Sequence, residues 1–352
     1  HCNLYGFCGG CQLQHITYEG QLSLKTQKVK DVIERIGHQN PDLVKPALGP
    51  KEPWAYRNKM QMPVGGSKGD IQMGFYAMGS HDIVQGTNCP IQDKGNNIIA
   101  QACYQIAKEF DIEPYDEHTG KGVLRHIIGR IGQSGWMIIL VTATEQLPHK
   151  EKWVEKLTER IPQVETIVHN VNGKRTNVIL GPKNNILYGD GTITDHIKDL
   201  QFTLSPHSFF QVNPEQTTVL YDQALAYADL KGDETVIDAY CGTGTISLFL
   251  AHKAKHVIGI EIVEPAIINA RENACRNGYD NTEFIVADAA VEMPKLYKAG
   301  VRPDVIVFDP IRAGCKEEVL TSAAGMEPKR IVYVSCNPAT MARDIEILTH
   351  YG

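Results

Sequence analysis

The pattern of hydrophobic and polar positions changes twice along this chain of 352 residues. Residues 18–36 place apolar side chains at helical spacing, and Gly37 provides a stop signal, which predicts one helix. Short β-rich runs such as GWMIILVTAT follow from residue 40 to about 206, with helical patterns at 95–109 and 150–160. This second stretch is therefore predicted to be a mixed α+β region.

From residue 213 onward, strand patterns alternate regularly with helical ones. The strand patterns are TVIDAYCG, HVIGIEI, EFIVADA, DVIVFDP and RIVYVSCNP. This alternation predicts a parallel sheet with right-handed crossovers and a ligand at the carboxyl ends of the strands. We therefore expect an α/β protein, with a cysteine-rich segment and helix (1–39), an α+β region (40–206) and a Rossmann-like domain (207–352).

Polar residues follow the first three strands of the predicted parallel sheet. The first strand leads into CGTG, where glycines permit a sharp turn and a close approach to a ligand. Glu261 follows Asp238 by about twenty residues, the spacing at which an acidic residue meets ribose hydroxyls, and Asp288 is placed to face an adenine edge. Ser247 replaces the third glycine of the dinucleotide fingerprint, which favours S-adenosylmethionine over a nicotinamide dinucleotide.

The ends of the fourth and fifth strands indicate the acceptor chemistry. Ile311 and Arg312 stand where methyltransferases acting on amines have proline and an aromatic residue. Cys336, at the end of the fifth strand, is the candidate nucleophile. The alternative is that Cys336 is one more small buried thiol, as expected for most of Cys103, Cys241, Cys275 and Cys315.

Composition and charge limit the cellular location and the mode of nucleic-acid binding that we expect. No apolar run long enough to span a membrane and no signal segment are found, which predicts a cytoplasmic protein without disulfides. The net charge of −6 argues against non-specific coating of nucleic acid. The sequence begins at His1 and ends at Gly352 within a helical pattern, so we expect the natural protein to extend beyond both ends.

Five stretches resemble one family over nearly the whole chain: SCNPATMARD, DAYCGTGT, FFQVNPEQ, AYRNKMQMPV and the opening cysteines. They are similar to the bacterial RNA uracil-5-methyltransferases, in particular the iron–sulfur branch that modifies 23S rRNA and its Gram-positive members that act at two sites. The resemblance implies that Cys336 is the nucleophile and that the target is a uridine in a folded rRNA loop. It also implies a set of S-adenosylmethionine contacts: Gln211, Tyr240, Thr245, Glu261, Asp288 and Asp309.

The chemistry of uracil methylation explains why a nucleophilic cysteine such as Cys336 is needed. Addition of a thiolate at C6 makes C5 electron-rich, so that C5 can accept a methyl group from a sulfonium donor. Loss of the C5 proton then releases the thiolate. The resemblance implies a Glu base about 35 residues beyond Cys336, past Gly352. Thr245 stands where relatives commonly have asparagine.

The opening cysteines form a C-x5-C-x2-C pattern, and Cys89 precedes a proline further along the chain. Three clustered thiolates and one distant cysteine, Cys2, Cys8, Cys11 and Cys89, are typical of a [4Fe–4S] cluster. Zinc is the alternative, although zinc sites usually contain two short cysteine pairs. Four unligated thiols are the remaining interpretation. We expect a cluster with a structural role.

Two groups of residues are candidates for RNA contact. The first is Trp54, Tyr56, Arg57, Asn58 and Lys59, and the second is Arg125, His126 and Arg130. Either group is alternatively a solvated surface. Phe209 and Phe210 are candidate walls of a pocket for an extruded base or, equally, core residues.

The predicted function is methyl transfer from S-adenosylmethionine to C5 of uridine in 23S rRNA through a covalent Cys–C6 adduct. The partner is rRNA, with no DNA and no membrane, and the protein is expected to be a monomer. The alternatives are a tRNA uracil-5-methyltransferase, which would not need the four cysteines, and a non-catalytic RNA-binding module, which would not need Cys336.

Overall fold

The computed structural model describes residues 2–351 and separates into two compact units. The first unit comprises residues 2–17, 50–196 and 202–215, and the second comprises residues 18–49, 197–201 and 216–351.

The helices are α1 (Tyr18–Arg35), α2 (Lys94–Glu109), α3 (Lys150–Arg160), α4 (Pro214–Ala228), α5 (Thr245–Ala251), α6 (Glu264–Arg276), α7 (Ala289–Lys298), α8 (Glu317–Gly325) and α9 (Pro338–Thr349). The strands of the first part of the chain are β1 (Lys59–Ser67), β2 (Asp70–Tyr76), β3 (Ile83–Gln85), β4 (Leu124–Ile131), β5 (Trp136–Thr142), β6 (Val164–Val171), β7 (Lys183–Tyr188), β8 (Ile193–Ile197) and β9 (Leu200–Leu204). The strands that follow are β10 (Thr235–Asp238), β11 (His256–Glu261), β12 (Thr282–Val286), β13 (Val305–Phe308) and β14 (Arg330–Tyr333).

The first unit is built on a seven-stranded sheet of order β3-β2-β1-β4-β5-β6-β7. Neighbouring strands are antiparallel, except for the parallel pair β5 and β6, which α3 connects. Helix α2 packs so closely on β4 that a Cβ at Gly129 would overlap Oδ1 of Asn96. Met60, Met62, Ile127, Ile138 and Trp153 are completely buried in the core of this unit. This unit is the mixed α+β region that the sequence predicts.

The second unit contains a five-stranded sheet of order β12-β11-β10-β13-β14, in which every pair is parallel. Its central strands are continuous hydrophobic runs because helices cover both faces, as Ile237, Ile306 and Phe308 show by their complete burial. The predicted parallel sheet is therefore confirmed. The strand order reverses between β10 and β13, which places the ligand crevice at the carboxyl ends of these strands.

Residues 40–49 and 197–201 of the predicted α+β region belong to the second unit. The boundaries of the units differ from the predicted divisions at two further places, and the first concerns helix α1. The sequence groups this helix with the cysteines in residues 1–39, whereas the structure groups it with the parallel sheet. Helix α1 packs against α9: a Cβ at Gly37 would lie 3.2 Å from the carbonyl oxygen of Ala342, and His38 Nε2 lies 3.8 Å from Glu346 Oε1. The hydrophobic pattern of α1 itself could not predict this contact, because α9 is remote in the sequence.

The second difference concerns residues 207–215, which were predicted to belong to the Rossmann-like domain and are grouped with the first unit. There the backbone N–H of Asn58 donates to Val212 O at 2.9 Å, and the ring centroids of Phe202 and Phe210 lie 5.7 Å apart. Within residues 2–351, every helix is too short or too polar to cross a membrane.

Candidate active site

The turn between β10 and α5 depends on two glycines. Gly242 and Gly244 have φ angles of +54° and +81°, in the left-handed region that other residues rarely adopt. A Cβ at Gly244 would lie only 3.1 Å from Ala270 Cβ, so this glycine also permits close packing. Within residues 2–351, and apart from the adjoining residues, no atom lies within 4 Å of the position of a Cβ at Gly242, which leaves that side of the turn open to a ligand.

Glu261 ends β11 beside this glycine turn. Its Oε2 accepts a hydrogen bond from the backbone N–H of Gly242 at 3.2 Å, and its Oε1 accepts one from Val263 at 2.9 Å. The two bonds fix the carboxylate at the carboxyl ends of β10 and β11. This is the position at which the sequence predicts contact with ribose hydroxyls.

Asp238 ends β10 and is completely buried. Its Oδ2 accepts a hydrogen bond from Ser247 Oγ at 2.6 Å, whereas the buried Oδ1 has no partner within residues 2–351. Burial raises the pKa of Asp238 to about 7, and the nearby carboxylates of Asp309 and Glu261 contribute to the rise. In the sequence, Asp238 served only as the reference point for the spacing to Glu261. A buried oxygen without a hydrogen-bond partner can be recognised only in the three-dimensional structure.

Asp309 follows β13, and burial raises its pKa to about 6. None of the Lys and Arg side chains in the described part of the chain forms an ion pair with Asp238, Glu261 or Asp309. Three carboxyl groups thus converge on the crevice without a cationic partner. Such a site is electrostatically suited to a positively charged ligand.

Asp288 has partners within the protein for both carboxylate oxygens. It caps α7 by accepting a hydrogen bond from the backbone N–H of Ala290 at 2.9 Å, and it accepts another from Lys316 Nζ at 2.8 Å. The hydrogen bond from Lys316 is the main reason that the pKa of Asp288 is lowered. The sequence identified Asp288 but not the lysine that holds it.

The remaining predicted cofactor contacts lie in both units. Tyr240 is half-buried, with its ring centroid 6.4 Å from that of Phe308, and burial raises its pKa above the ordinary value. Thr245 begins α5, and its Oγ1 lies 3.0 Å from the hydroxyl of Tyr221. Gln211 is half-buried in residues 202–215, which belong to the first unit.

Cys336 is exposed in the turn between β14 and α9. Asn337, the next residue, caps α9 by accepting from the backbone N–H of Ala339 at 3.2 Å. Its Nδ2 also donates to Arg312 O at 3.0 Å, in the segment that follows Asp309. The alternative of a buried thiol is therefore wrong for Cys336, and its turn is tied to the end of the neighbouring strand.

A buried hydrogen-bond network supports this turn. Asp344 on α9 is completely buried, and its Oδ2 accepts bonds from the Cys315 backbone at 2.7 Å and the Tyr333 hydroxyl at 2.6 Å. Its Oδ1 accepts from Arg343 Nε at 2.8 Å, and Arg343 also donates to Ala313 O at 2.9 Å. Asp344 thereby fixes residues 313–315 against α9, a role that its position in SCNPATMARD did not reveal.

The four cysteines predicted to bind a cluster face one cavity of about 340 Å³ in the first unit; they are Cys2, Cys8, Cys11 and Cys89. Burial raises the pKa of Cys11 and of Cys89, and nearby thiol groups add to both shifts. The Cys89 backbone is fixed by Asn97, whose Oδ1 accepts from Cys89 N–H at 2.9 Å. No His, Cys, Asp and Glu side chains between residues 2 and 351 form a group of three or more that could hold a metal ion.

The second basic group predicted to contact RNA lies inside the protein instead. Arg125 is buried against Tyr115 at 4.5 Å and donates to Lys174 O at 2.8 Å. His126 and Arg130 are also buried, and burial lowers the pKa of His126 to about 4. The interpretation of this group as a solvated surface is wrong, because all three side chains are buried on the central strand β4.

The two phenylalanines before Gln211 have different environments. Phe210 is a core residue, packed against Phe202. Phe209 is 72% exposed, so its ring is available to a partner. Phe209 therefore stays a candidate for base stacking.

A family model described as a methyltransferase domain matches residues 230–349. An uncharacterized RNA methyltransferase of Bacillus cereus is 51% identical over 353 residues, covering 100% of this chain and 77% of the relative. An uncharacterized RNA methyltransferase of Halalkalibacterium halodurans gives the same identity and coverage. The chain belongs to the RNA methyltransferase family.

A solved structure extends the likeness beyond the catalytic domain. This RNA methyltransferase is similar to Pyrococcus abyssi tRNA (uracil-54, C5)-methyltransferase in complex with S-adenosyl-L-homocysteine, with a TM-score of 0.80 and 26% identity. The match covers 97% of this chain and 80% of the other. The protein therefore has the fold of S-adenosylmethionine-dependent methyltransferases, and its acidic crevice lies where that fold binds a ligand.

Proposed function

We propose that this RNA methyltransferase transfers a methyl group to C5 of a uridine in 23S rRNA, with Cys336 as the nucleophile. The observation that carries the proposal is the exposed thiol of Cys336 at the carboxyl end of β14. Strand β14 pairs with β13, where Phe308 and Tyr333 are register partners, and Asp309 follows directly. The thiol and the acidic crevice therefore share one edge of the sheet.

The acidic residues prepare the crevice for a cationic donor. S-adenosylmethionine, when bound, supplies an electrophilic methyl group on a positively charged sulfonium. Asp238 has a buried acceptor without a partner, and Glu261 is held in place by two backbone N–H groups. We assign Asp238, in addition to the six residues that the resemblance implies, to binding of the donor.

Cys336 carries the covalent step. Its thiolate attacks C6 of the uracil, forming an S–C6 bond and moving the ring electron pair to C5. C5 then takes the methyl group from the sulfonium, which leaves as the neutral thioether S-adenosyl-L-homocysteine. The glutamate base that the resemblance implies removes the C5 proton, and the electron pair of that C–H bond expels the thiolate as the S–C6 bond breaks. Asn337 and Asp344 hold the Cys336 turn and the segment after Asp309 in a fixed relation.

One experiment decides both the acceptor RNA and the position of methylation. Unmodified 23S rRNA and tRNA transcripts are incubated with the protein and tritium-labelled S-adenosylmethionine, and the modified nucleoside is identified after digestion. We expect label as 5-methyluridine in 23S rRNA. Label in tRNA would instead support the alternative function, which the similarity to a tRNA (uracil-54, C5)-methyltransferase favours. Label at any other position would contradict uracil C5 chemistry.

We further propose that Cys2, Cys8, Cys11 and Cys89 bind a [4Fe–4S] cluster. All four side chains line the same cavity, although three belong to the opening segment and one to the loop after β3. A [4Fe–4S] cluster distributes its four thiolates over different iron atoms, so its ligands surround a cavity instead of meeting at one point. Bound there, the cluster would fasten residues 2–11 to the Cys89 loop.

The cluster proposal predicts iron and sulfide in the purified protein. Prepared without oxygen, the protein is expected to contain about four iron and four sulfide per chain. Cys89→Ala is expected to lose most of both, because one of the four ligands is missing, whereas Cys275→Ala retains them as the matched control. One zinc per chain without sulfide would show that the alternative metal occupies the site.

A further inference from the structure

Four basic residues of the first unit lie together and form no ion pair with a carboxylate in the described part of the chain. We call Arg57, Lys59, Arg130 and His207 the basic cluster. Lys59 begins β1 directly opposite Arg130 on β4, and Arg57 is two residues earlier in the chain. His207 is exposed in a tight turn in which Ser208 N–H donates to Ser205 O at 3.2 Å. The guanidinium of Arg130 donates to Pro206 O and Ser208 O, and so holds the turn that carries His207.

Within residues 2–351 no carboxylate pairs with the basic cluster, and Arg57 also lines the cavity of the four cysteines. Within residues 2–351, the side chains of Arg57, Lys59 and His207 form no hydrogen bond or ion pair. Arg130 is 3% exposed, and its buried Nε has no partner. Burial, Arg130 and Arg57 together lower the pKa of Lys59 to about 7. The pKa of His207 is lowered by burial and by the charges of Arg130 and Lys59.

Other basic residues in the same unit are satisfied within the protein. Arg125 donates to two backbone carbonyls and stacks on Tyr115, and His81 lies 2.7 Å from the carboxylate of Glu117. A cluster that lacks such partners loses solvation on folding and gains nothing from a counter-charge. Such an excess of positive charge without a counter-charge is typical of an anion-binding site.

We propose that Lys59 and His207 bind a phosphate group of the RNA backbone. Arg57 lies beside them, and Arg130 is a positioning residue. The inference rests on the RNA substrate of the proposed function. A phosphodiester carries a full negative charge and strong acceptor oxygens, and contacts of this kind position RNA without reading its sequence. Arg130 acts indirectly by fixing the 205–208 turn and by adding positive charge.

The position of Lys59 makes RNA binding depend on pH in a defined direction. The charged groups that face Lys59 are Arg57 on the preceding chain, Arg130 on β4 and His207 in the 205–208 turn. Below about pH 7 the amine is already protonated, whereas above it the amine takes up a proton when the phosphate binds. RNA affinity is therefore expected to fall as pH rises above 7, by up to about tenfold per pH unit.

The test measures equilibrium binding of a 23S rRNA transcript to the full chain, without methyl transfer, from pH 6.5 to 9 and over a range of salt. Lys59→Met is expected to weaken binding about five- to twentyfold and to reduce the salt dependence by about one released ion. Lys59→Arg is expected to keep the affinity and to abolish the dependence on pH, because arginine stays charged. Lys68→Met, at a lysine that is 67% exposed in the same unit, is the control and should change neither.

Two results would overturn the proposal. One is an unchanged salt dependence in Lys59→Met, and the other is a persistent pH dependence in Lys59→Arg. Inorganic phosphate, added at constant ionic strength, is expected to compete with RNA in the wild-type protein and not in Lys59→Met. If phosphate binds near Lys59 while RNA affinity is unaffected by Lys59→Met, the site takes a free anion and the RNA proposal is wrong.

The outcomes also separate this site from the proposed reaction. Normal 5-methyluridine formation with unaltered RNA binding in Lys59→Met would refute the phosphate site alone. The expected binding pattern without 5-methyluridine would refute the reaction alone. S-adenosylmethionine affinity, measured in every variant, is expected to stay within about twofold of wild type if each protein is folded.

Discussion

Replacement of Cys336 by alanine is expected to lower methyl transfer by at least about a thousandfold, because it removes the thiol proposed to add to C6. The same variant is expected to form no covalent adduct with RNA that contains 5-fluorouridine. Fluorine at C5 cannot be removed as a proton is, so the wild-type adduct accumulates and is seen on a denaturing gel. Methyl transfer is measured in parallel with tritium-labelled S-adenosylmethionine.

Cys275→Ala provides a matched control, since Cys275 is also an exposed cysteine of the second unit. It is expected to retain both adduct formation and methyl transfer. Binding of S-adenosylmethionine should be unchanged in Cys336→Ala, because the thiol is assigned to the uracil and not to the donor. Undiminished turnover in Cys336→Ala would show that the nucleophile has been misassigned.

Replacement of Asp238 by asparagine is expected to stabilise the protein without ligand and to weaken donor binding. The native state holds a proton on Asp238 up to about pH 7, whereas the unfolded chain releases it near the ordinary pKa of 3.8. The native state thus binds more protons between these values, and this carboxyl group lowers the free energy of unfolding as pH rises from 4 to 7. Asparagine removes that loss, so the variant is expected to gain about 2–4 kcal/mol above pH 7.

The same substitution removes a charged acceptor from the crevice. S-adenosylmethionine affinity is expected to fall roughly 10- to 150-fold, equivalent to about 1.5–3 kcal/mol for a hydrogen bond to a charged group. In the wild-type protein the affinity is expected to fall below pH 7 as Asp238 is protonated. In the variant only the dependence due to Asp309, whose pKa is about 6, should persist. Thermal unfolding and calorimetric titration across pH 5–9 provide both measurements.

Glu261→Ala separates the two effects. Its carboxylate accepts hydrogen bonds from the backbone of Gly242 and Val263, so its loss is expected to weaken donor binding without stabilising the fold. A gain in stability in both variants would mean that general charge repulsion explains the result. Unchanged donor affinity in Asp238→Asn would contradict the assignment of Asp238.

The sequence was sufficient to predict the parallel sheet because each of its strands and helices has a recognisable hydrophobic pattern. Strands β10 and β13 are hydrophobic throughout, and the helices between them have regular spacing, so the alternation predicts the order of elements and the edge at which Glu261, Asp288 and Cys336 lie. The sequence also predicted a sharp turn at the glycines after β10, and the positive φ angles of Gly242 and Gly244 confirm it. Resemblance over nearly the whole chain indicated an RNA uracil-5-methyltransferase, and the 51% identical relatives established the broader RNA methyltransferase family.

Only the tertiary structure decided which elements cover which faces. Helix α1 packs on α9, more than 300 residues away, and β4 has a sheet strand on each side and buries Arg125, His126 and Arg130. A periodic pattern shows that an element has a face to bury, but not what covers it, because the covering residues are remote in sequence. The unpartnered oxygen of Asp238, the Asp344 network and the place of His207 in the basic cluster all depend on such remote neighbours, so no local pattern disclosed them.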